Sequence, residues 1–255
     1  MEMMKRLKTI LALVLAMTAS LAACGGSDTT EEPADDTAGQ TTEEPADNTG
    51  SESDLAYVQD KGTLVVGITY FAPLDYKEEG SDEWIGFDAD IAKAFAESLG
   101  VNVEFQEITW DYKVEELNSR AIDCVWNGIT LSEDVLAAMG TSTPYCTNYQ
   151  TLVYPADKAA DFEGLTSLEG LNIAVESGSA GEDAAEALGA TTVPVQAQAN
   201  ALMEVSAGTS DAAVIDVLMA AEMTGEGTSY ADLAYSLNLN DTQGLPSEEY
   251  GVGFR

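Results

Sequence analysis

The chain has 255 residues, 45% of them apolar, with 45 acidic side chains against 10 basic ones and no histidine. That length permits one or two globular domains, and that apolar share is enough to fill a core. A net charge of −35 argues against nucleic acid and anionic lipid surfaces as partners, because both carry the same sign. The acidity suits solvation in the open, or the attraction of cations.

Lys5, Arg6 and Lys8 form a positive start, and Thr9 to Leu21 is a short apolar run. It is too short for a membrane span and right for a secretory signal over residues 1–23. Residues 24–54 are expected to be an acidic, disordered linker. Thr29-Thr30-Glu31-Glu32-Pro33-Ala34-Asp35 recurs as Thr41-Thr42-Glu43-Glu44-Pro45-Ala46-Asp47. Such a segment lacks the apolar area to offset chain entropy, and its charges extend it.

Leu64-Val65-Val66-Gly67-Ile68 reads as a buried strand, followed by the loop Tyr70-Phe71-Ala72-Pro73-Leu74. Asp88 is placed to cap a helix whose apolar face is Ile91, Ala94, Phe95 and Leu99, and which Gly100 stops. Val101 to Phe105 alternates like the next strand, with Trp110 just beyond it. This is a βαβ unit, and in open α/β sheets ligands bind at the carboxyl ends of the strands. Val114 to Arg120 reads as a short helix. Ala121 to Trp126 is the next buried strand, ending in Asn127-Gly128-Ile129-Thr130. Trp126 is a pocket wall or a core residue. Gln150 to Tyr154 and Leu171 to Val175 are further strands. Glu176 to Gly181 is a small-residue loop before a helix, a rim of N–H donors suited to a carboxylate. Val193-Pro194-Val195, a helix over 200–207, a strand ending at Asp216 and a helix over 217–223 follow. Tyr250 to Phe254 is the last strand.

The stretches "GTLVVGITYFAPLDY…WIGFDADIAKAFAESLG", "DCVWNGIT" and "DAAVID" resemble the polar amino-acid family (family 3) of extracellular solute-binding proteins of ABC importers. The resemblance covers roughly residues 55 to 255. It implies an α/β, two-lobed periplasmic-binding-protein-like (type II) fold with a hinge of two crossover strands. Lobe 1 would span 55–149, lobe 2 150–247, and a return strand 248–255, after which the family's C-terminal helix is missing. Leu21-Ala22-Ala23-Cys24 resembles a lipobox, which implies a lipid on Cys24 and a place on the extracytoplasmic face of the cell membrane.

By the same match, ligand contacts are expected at Asn127, Gly128, Thr130, Ser179 and the N–H of Ala180, with Phe71, Trp110 and Trp126 as aromatic walls and Tyr145 as a further wall. Asp216 would pair a ligand ammonium or cap the helix after it, and Asp216→Ala is expected to abolish such binding with the fold intact. The family's carboxylate-clamping arginine falls at Val135 here, so the ligand's carboxylate is held otherwise, or the ligand lacks one or is cationic. Cys124 and Cys146 form a disulfide or remain two buried thiols. Two cysteines without histidine suggest no metal, and no cofactor is implied. The expected function is capture of a small polar solute, an amino acid or related amine, by a monomer that delivers it to permease subunits. The alternatives are an enzyme of the same fold, cyclohexadienyl dehydratase-like, working through carboxylates such as Glu176 or Asp216, or a ligand-sensing module.

Overall fold

The computed structural model describes residues 53–244 and 247–255; the signal segment, Cys24 and nearly all of the acidic linker expected above lie outside them. Among the described residues the strands are β1 (Thr63–Ile68), β2 (Asn102–Glu107), β3 (Cys124–Thr130), β4 (Gly140–Thr141), β5 (Cys146–Asn148), β6 (Gln150–Pro155), β7 (Asn172–Glu176), β8 (Thr191–Val195), β9 (Ala212–Asp216), β10 (Leu233–Asn238) and β11 (Glu248–Phe254). The α-helices are α1 (Asp54–Lys61), α2 (Phe87–Leu99), α3 (Lys113–Asn118), α4 (Glu133–Ala138), α5 (Ala159–Phe162), α6 (Ala180–Ala187), α7 (Gln198–Ala207), α8 (Val217–Met223) and α9 (Leu239–Gln243).

The strands form two sheets. The first has the order β2-β1-β3-β11-β4, with β5 also paired to β11; the second runs β10-β6-β9-β7-β8. In the first, β1 is parallel to β2 and β3, while β11 is antiparallel to β3. In the second, β7 is parallel to β8 and β9, and β6 is antiparallel to β9. The chain leaves the first sheet at Asn148, enters the second at Gln150 and returns along β11 from Glu248. These are the two expected crossovers of a two-lobed α/β fold. Every residue of β9 is buried, as a central strand covered on both faces requires. Because β1 and β3 in one lobe and β7 and β9 in the other are parallel neighbours, their carboxyl-end residues can converge on one cleft.

Four expectations change at this level. The helix α2 buries Ala89, Ala92 and Ala96 rather than Ile91 and Ala94, and Ile91 is 37% exposed. Small side chains let the helix lie close on the sheet, while Phe95 only flanks it, edge-on to Trp126 at 5.7 Å. Asp88 does not cap the helix: Gly86 holds that position, and the Asp88 carboxylate turns inward. Asp54 is not linker. It opens α1, which Ser53 caps, and it pairs with Arg255 at 3.1 Å. Arg255 also donates to the carbonyls of Ile122 and Leu117 at 2.6 and 3.2 Å.

The fourth is the cysteine pair. Both thiols are free, Cys124 buried and Cys146 partly exposed. They pair with Phe254 and Tyr250 on opposite sides of β11. Four residues of strand, about 13 Å, separate those pairing points. A disulfide needs Cα atoms within about 7 Å.

Candidate solute cleft

A cavity of about 320 Å³ lies where the strand ends of the two sheets meet. Phe71, Trp110, Asn127, Gly128 and Thr130 line it from the first lobe, and Ser179, Ala180 and Asp216 from the second. Trp126 does not; it is 7% exposed and packs in the core against Phe95. Tyr145 is no wall of the cavity either. Its hydroxyl donates to Asp88 Oδ2 at 2.7 Å.

The first-lobe wall is held by a buried polar lattice. Asn127 accepts the N–H and hydroxyl of Thr69 at 3.0 and 2.9 Å, and donates to the Thr69 carbonyl and to Asp75 at 3.0 and 2.7 Å. Its amide is therefore committed to shape rather than to a ligand. Gly128 has φ 57°, and its N–H donates to Asp88 Oδ2 at 2.7 Å. A Cβ there would stand 2.8 Å from both Leu74 and Phe71 side chains. Burial lifts the Asp88 carboxyl to about 6, opposed by the Tyr145 hydroxyl and the Gly128 N–H. Burial and the neighbouring Asp88 raise Asp75 as well. The Thr130 hydroxyl faces the hinge, donating to Glu248 at 3.2 Å.

On the second lobe Ser179 is the N-cap of α6, its Oγ accepting from the Glu182 N–H at 3.1 Å. Glu182 reaches back to the Gly178 N–H at 2.7 Å, a reciprocal box. Of the N–H rim read from the sequence, Gly178 is thus occupied, while Ala180, the first residue of α6, lines the cavity. Lys113, on α3 of the first lobe, crosses the cleft: its Nζ donates to the Gly178 carbonyl at 2.8 Å and the Trp110 carbonyl at 3.3 Å. The lobes are closed at this point.

Asp216 ends β9, at the N-cap position of α8, but its side chain makes no cap bond. Tyr250 and Gln150 donate to Oδ1 at 2.6 and 3.0 Å, with Asn148 beside them, and Gln198 donates to Oδ2. Asn148 and Gln150 use the same nitrogens to reach Glu248 on the returning strand, at 3.1 and 2.9 Å. Asp216 is therefore part of the hinge as well as of the cavity. Burial and Glu248 raise it to about 6, against the donors around it.

Glu176, at the end of β7, lines the same cavity and is 3% exposed. Burial raises it to about 8; Asp216 adds to the shift, while the Thr69 hydroxyl, Lys113 and Gln198 oppose it. Among the described residues five carboxyl groups line the cavity, Asp111, Asp134, Glu176, Asp183 and Asp216, against one cation, Lys113. Val135 does line it, so the clamp position faces the ligand space with an apolar side chain. Lys113 and Gln198 were missed in the sequence. Both open helices beside a strand end, where sites gather in this architecture, and that position was the only available signal.

The model of the bacterial extracellular solute-binding proteins, family 3, matches residues 64–204. The arginine-binding extracellular protein ArtP of Bacillus subtilis is 28% identical over 219 residues, 84% of this chain and 74% of that protein. A crystal structure of a mutant of ArgBP from T. maritima superposes with a TM-score of 0.70 at 28% identity, over 80% of this chain and 86% of that one. The cyclohexadienyl dehydratase of Pseudomonas aeruginosa is 28% identical over 140 residues, 53% of this chain and 52% of that enzyme. The chain belongs to the bacterial extracellular solute-binding proteins, family 3.

Proposed function

We propose that the chain is the solute receptor of an ABC importer, tethered by a lipid on Cys24 to the outer face of the cell membrane and acting as a monomer. It captures an amino acid or related amine and hands it to permease subunits. The observation that supports this most is a cavity lined from both lobes and closed by Lys113 against Gly178. Closure of that kind is driven by contacts the solute makes to both halves. Asp216 Oδ2 has capacity left beyond Gln198 for a solute ammonium, and the Ala180 N–H suits a carboxylate. Phe71 and Trp110 supply the apolar walls.

A thermal-shift screen of amino acids, amines and small peptides tests the reading, since a bound solute raises the melting midpoint by mass action. A shift of several degrees with at least one compound is expected. No shift across the panel, with scattering curves unchanged, rejects it. The catalytic alternative draws on one feature, a buried Glu176 poised near neutrality for proton transfer. No turnover of prephenate or arogenate is expected; product formation would reverse the choice.

A further inference from the structure

Glu176 stands apart from the other acids of the cleft. Its Oε1 is buried and, among the described residues, has no hydrogen-bond partner. Asp216 beside it is saturated at Oδ1 by three donors. The one cation of the cavity, Lys113, is spent on two carbonyls. Thr69, Gln198 and Lys113 act on its carboxyl group, yet Oε1 stays without a hydrogen bond among the described residues.

The rest of the lining carries the same sign. Burial and Glu182 raise Asp183 on α6, and Asp134 on α4 of the opposite lobe adds to that shift across the cavity. Val135 removes the positive charge that the family pattern places in the cleft. The cleft therefore sets carboxyl groups against carboxyl groups, with too little positive charge among the described lining residues to balance them. Resting on the receptor reading above, we propose that Glu176 is the seat of a cationic group of the solute, an ammonium or guanidinium in addition to any at Asp216, and that it releases a proton when that group arrives.

The charged groups facing Glu176 are Asp216 from β9 and Lys113 from α3; Thr69, just past β1, and Gln198 on α7 face it as neutral polar side chains that also donate to Asn127 and Asp216. Desolvation and Asp216 outweigh the others, so at neutral pH the empty site holds Glu176 as the acid. A cation placed against it reverses the balance. The carboxyl O–H breaks, the proton passes to bulk buffer, and the carboxylate pairs with the solute. Charge at the site is thus exchanged rather than accumulated, which lets a cation enter a dry cleft without leaving a charge unpaired.

The test is calorimetry on the full chain with L-arginine, L-lysine and putrescine as cationic probes and L-citrulline and L-glutamine as neutral ones. Titration in phosphate and in Tris separates proton release from binding heat. For a bound cationic probe, close to one proton released per probe is expected at pH 7, with affinity rising about tenfold from pH 6 to pH 7. In Glu176→Gln, proton release should vanish, the pH slope flatten and the cation bind at least about tenfold more weakly, while the neutral probes lose less than about threefold. Cation binding to the unaltered chain without buffer-dependent heat overturns the assignment, and needs no variant. So does a Glu176→Gln variant that still releases the proton. Binding of neutral probes alone overturns the role of Glu176 and leaves the receptor reading standing. Silence with every probe removes both.

Discussion

At Gly128 the backbone runs in the left-handed region while its N–H is gripped by a buried carboxylate and two side chains crowd the space where a Cβ would go. Both constraints fall on one residue, so Gly128→Ala should cost about 3 kcal/mol, read as a lower urea midpoint at unchanged slope. Asp216 illustrates a different coupling. The expectation that its removal spares the fold does not survive the four donors that converge on it. Asp216→Ala takes this acceptor from the buried Tyr250 hydroxyl and Gln198 amide, while Asn148 and Gln150 keep Glu248, and should cost about 3 kcal/mol of stability in addition to solute affinity. Asp216→Asn, which fills the same space, should lose less stability and most of the affinity for an ammonium; comparing the two by chemical denaturation and calorimetry separates the roles. The residue type and position of Asp216 were legible from the chain. Its hinge duty was not, because Asn148 and Gln150 on one crossover and Glu248 on the other lie far from Asp216 and from each other in sequence.

Among the elements, the loop before α6 and the start of α3 carry the closure. Gly178 has φ 71°, and a Cβ there would lie 2.7 Å from the Asp111 carboxylate. Gly178→Ala should hold the lobes apart and weaken solute binding by at least about tenfold, about 1.4 kcal/mol, with the radius of gyration of the solute-bound protein staying at the open value. Lys113→Met should act in the same direction through the lost bridge to the Gly178 carbonyl. The helix α8 falls on the residues read from the sequence, and β7 and β9 fall within one residue of theirs, because buried parallel strands are unbroken apolar runs between turn signals; β3 starts three residues later and runs four residues further than read, through Asn127-Gly128-Ile129-Thr130. The facing of α2 was misread. Ile91 and Phe95 are larger, but alanines are what a close helix–sheet contact accepts. Neither α1 nor β10 stood out, the first being short and mostly polar, the second an edge strand with its outer side in solvent.

For the whole molecule, charge governs the response to conditions. Asp88 and Asp216 are raised from 3.8 to about 6, and Glu176 from 4.5 to about 8. The folded chain therefore keeps protons that the unfolded chain gives up across roughly pH 4 to 8, and stability falls as pH rises through that window. The solute-free protein should melt lower at pH 8 than at pH 5 in a scan, and Glu176→Gln should flatten the upper end of that trend. A net charge of −35 adds self-repulsion of the same sense, so about 0.5 M sodium chloride should raise the midpoint at pH 8. The strand-end position of the cleft was readable from the βαβ pattern, whereas the two lobes and two crossovers came from the family resemblance. The surplus of acid in the cleft was not, because Asp111, Asp134 and Asp183 look like ordinary solvated helix-end residues until closure brings them together.

The free cysteines leave a practical opening. Cys124 is sealed within the sheet, whereas Cys146 is partly open to solvent two residues before Asn148, where the chain passes between lobes. With Cys24 replaced, an environment-sensitive dye coupled through maleimide would attach at that one spot. Its emission would then change as the two halves swing, turning the protein into an optical gauge for whatever it carries.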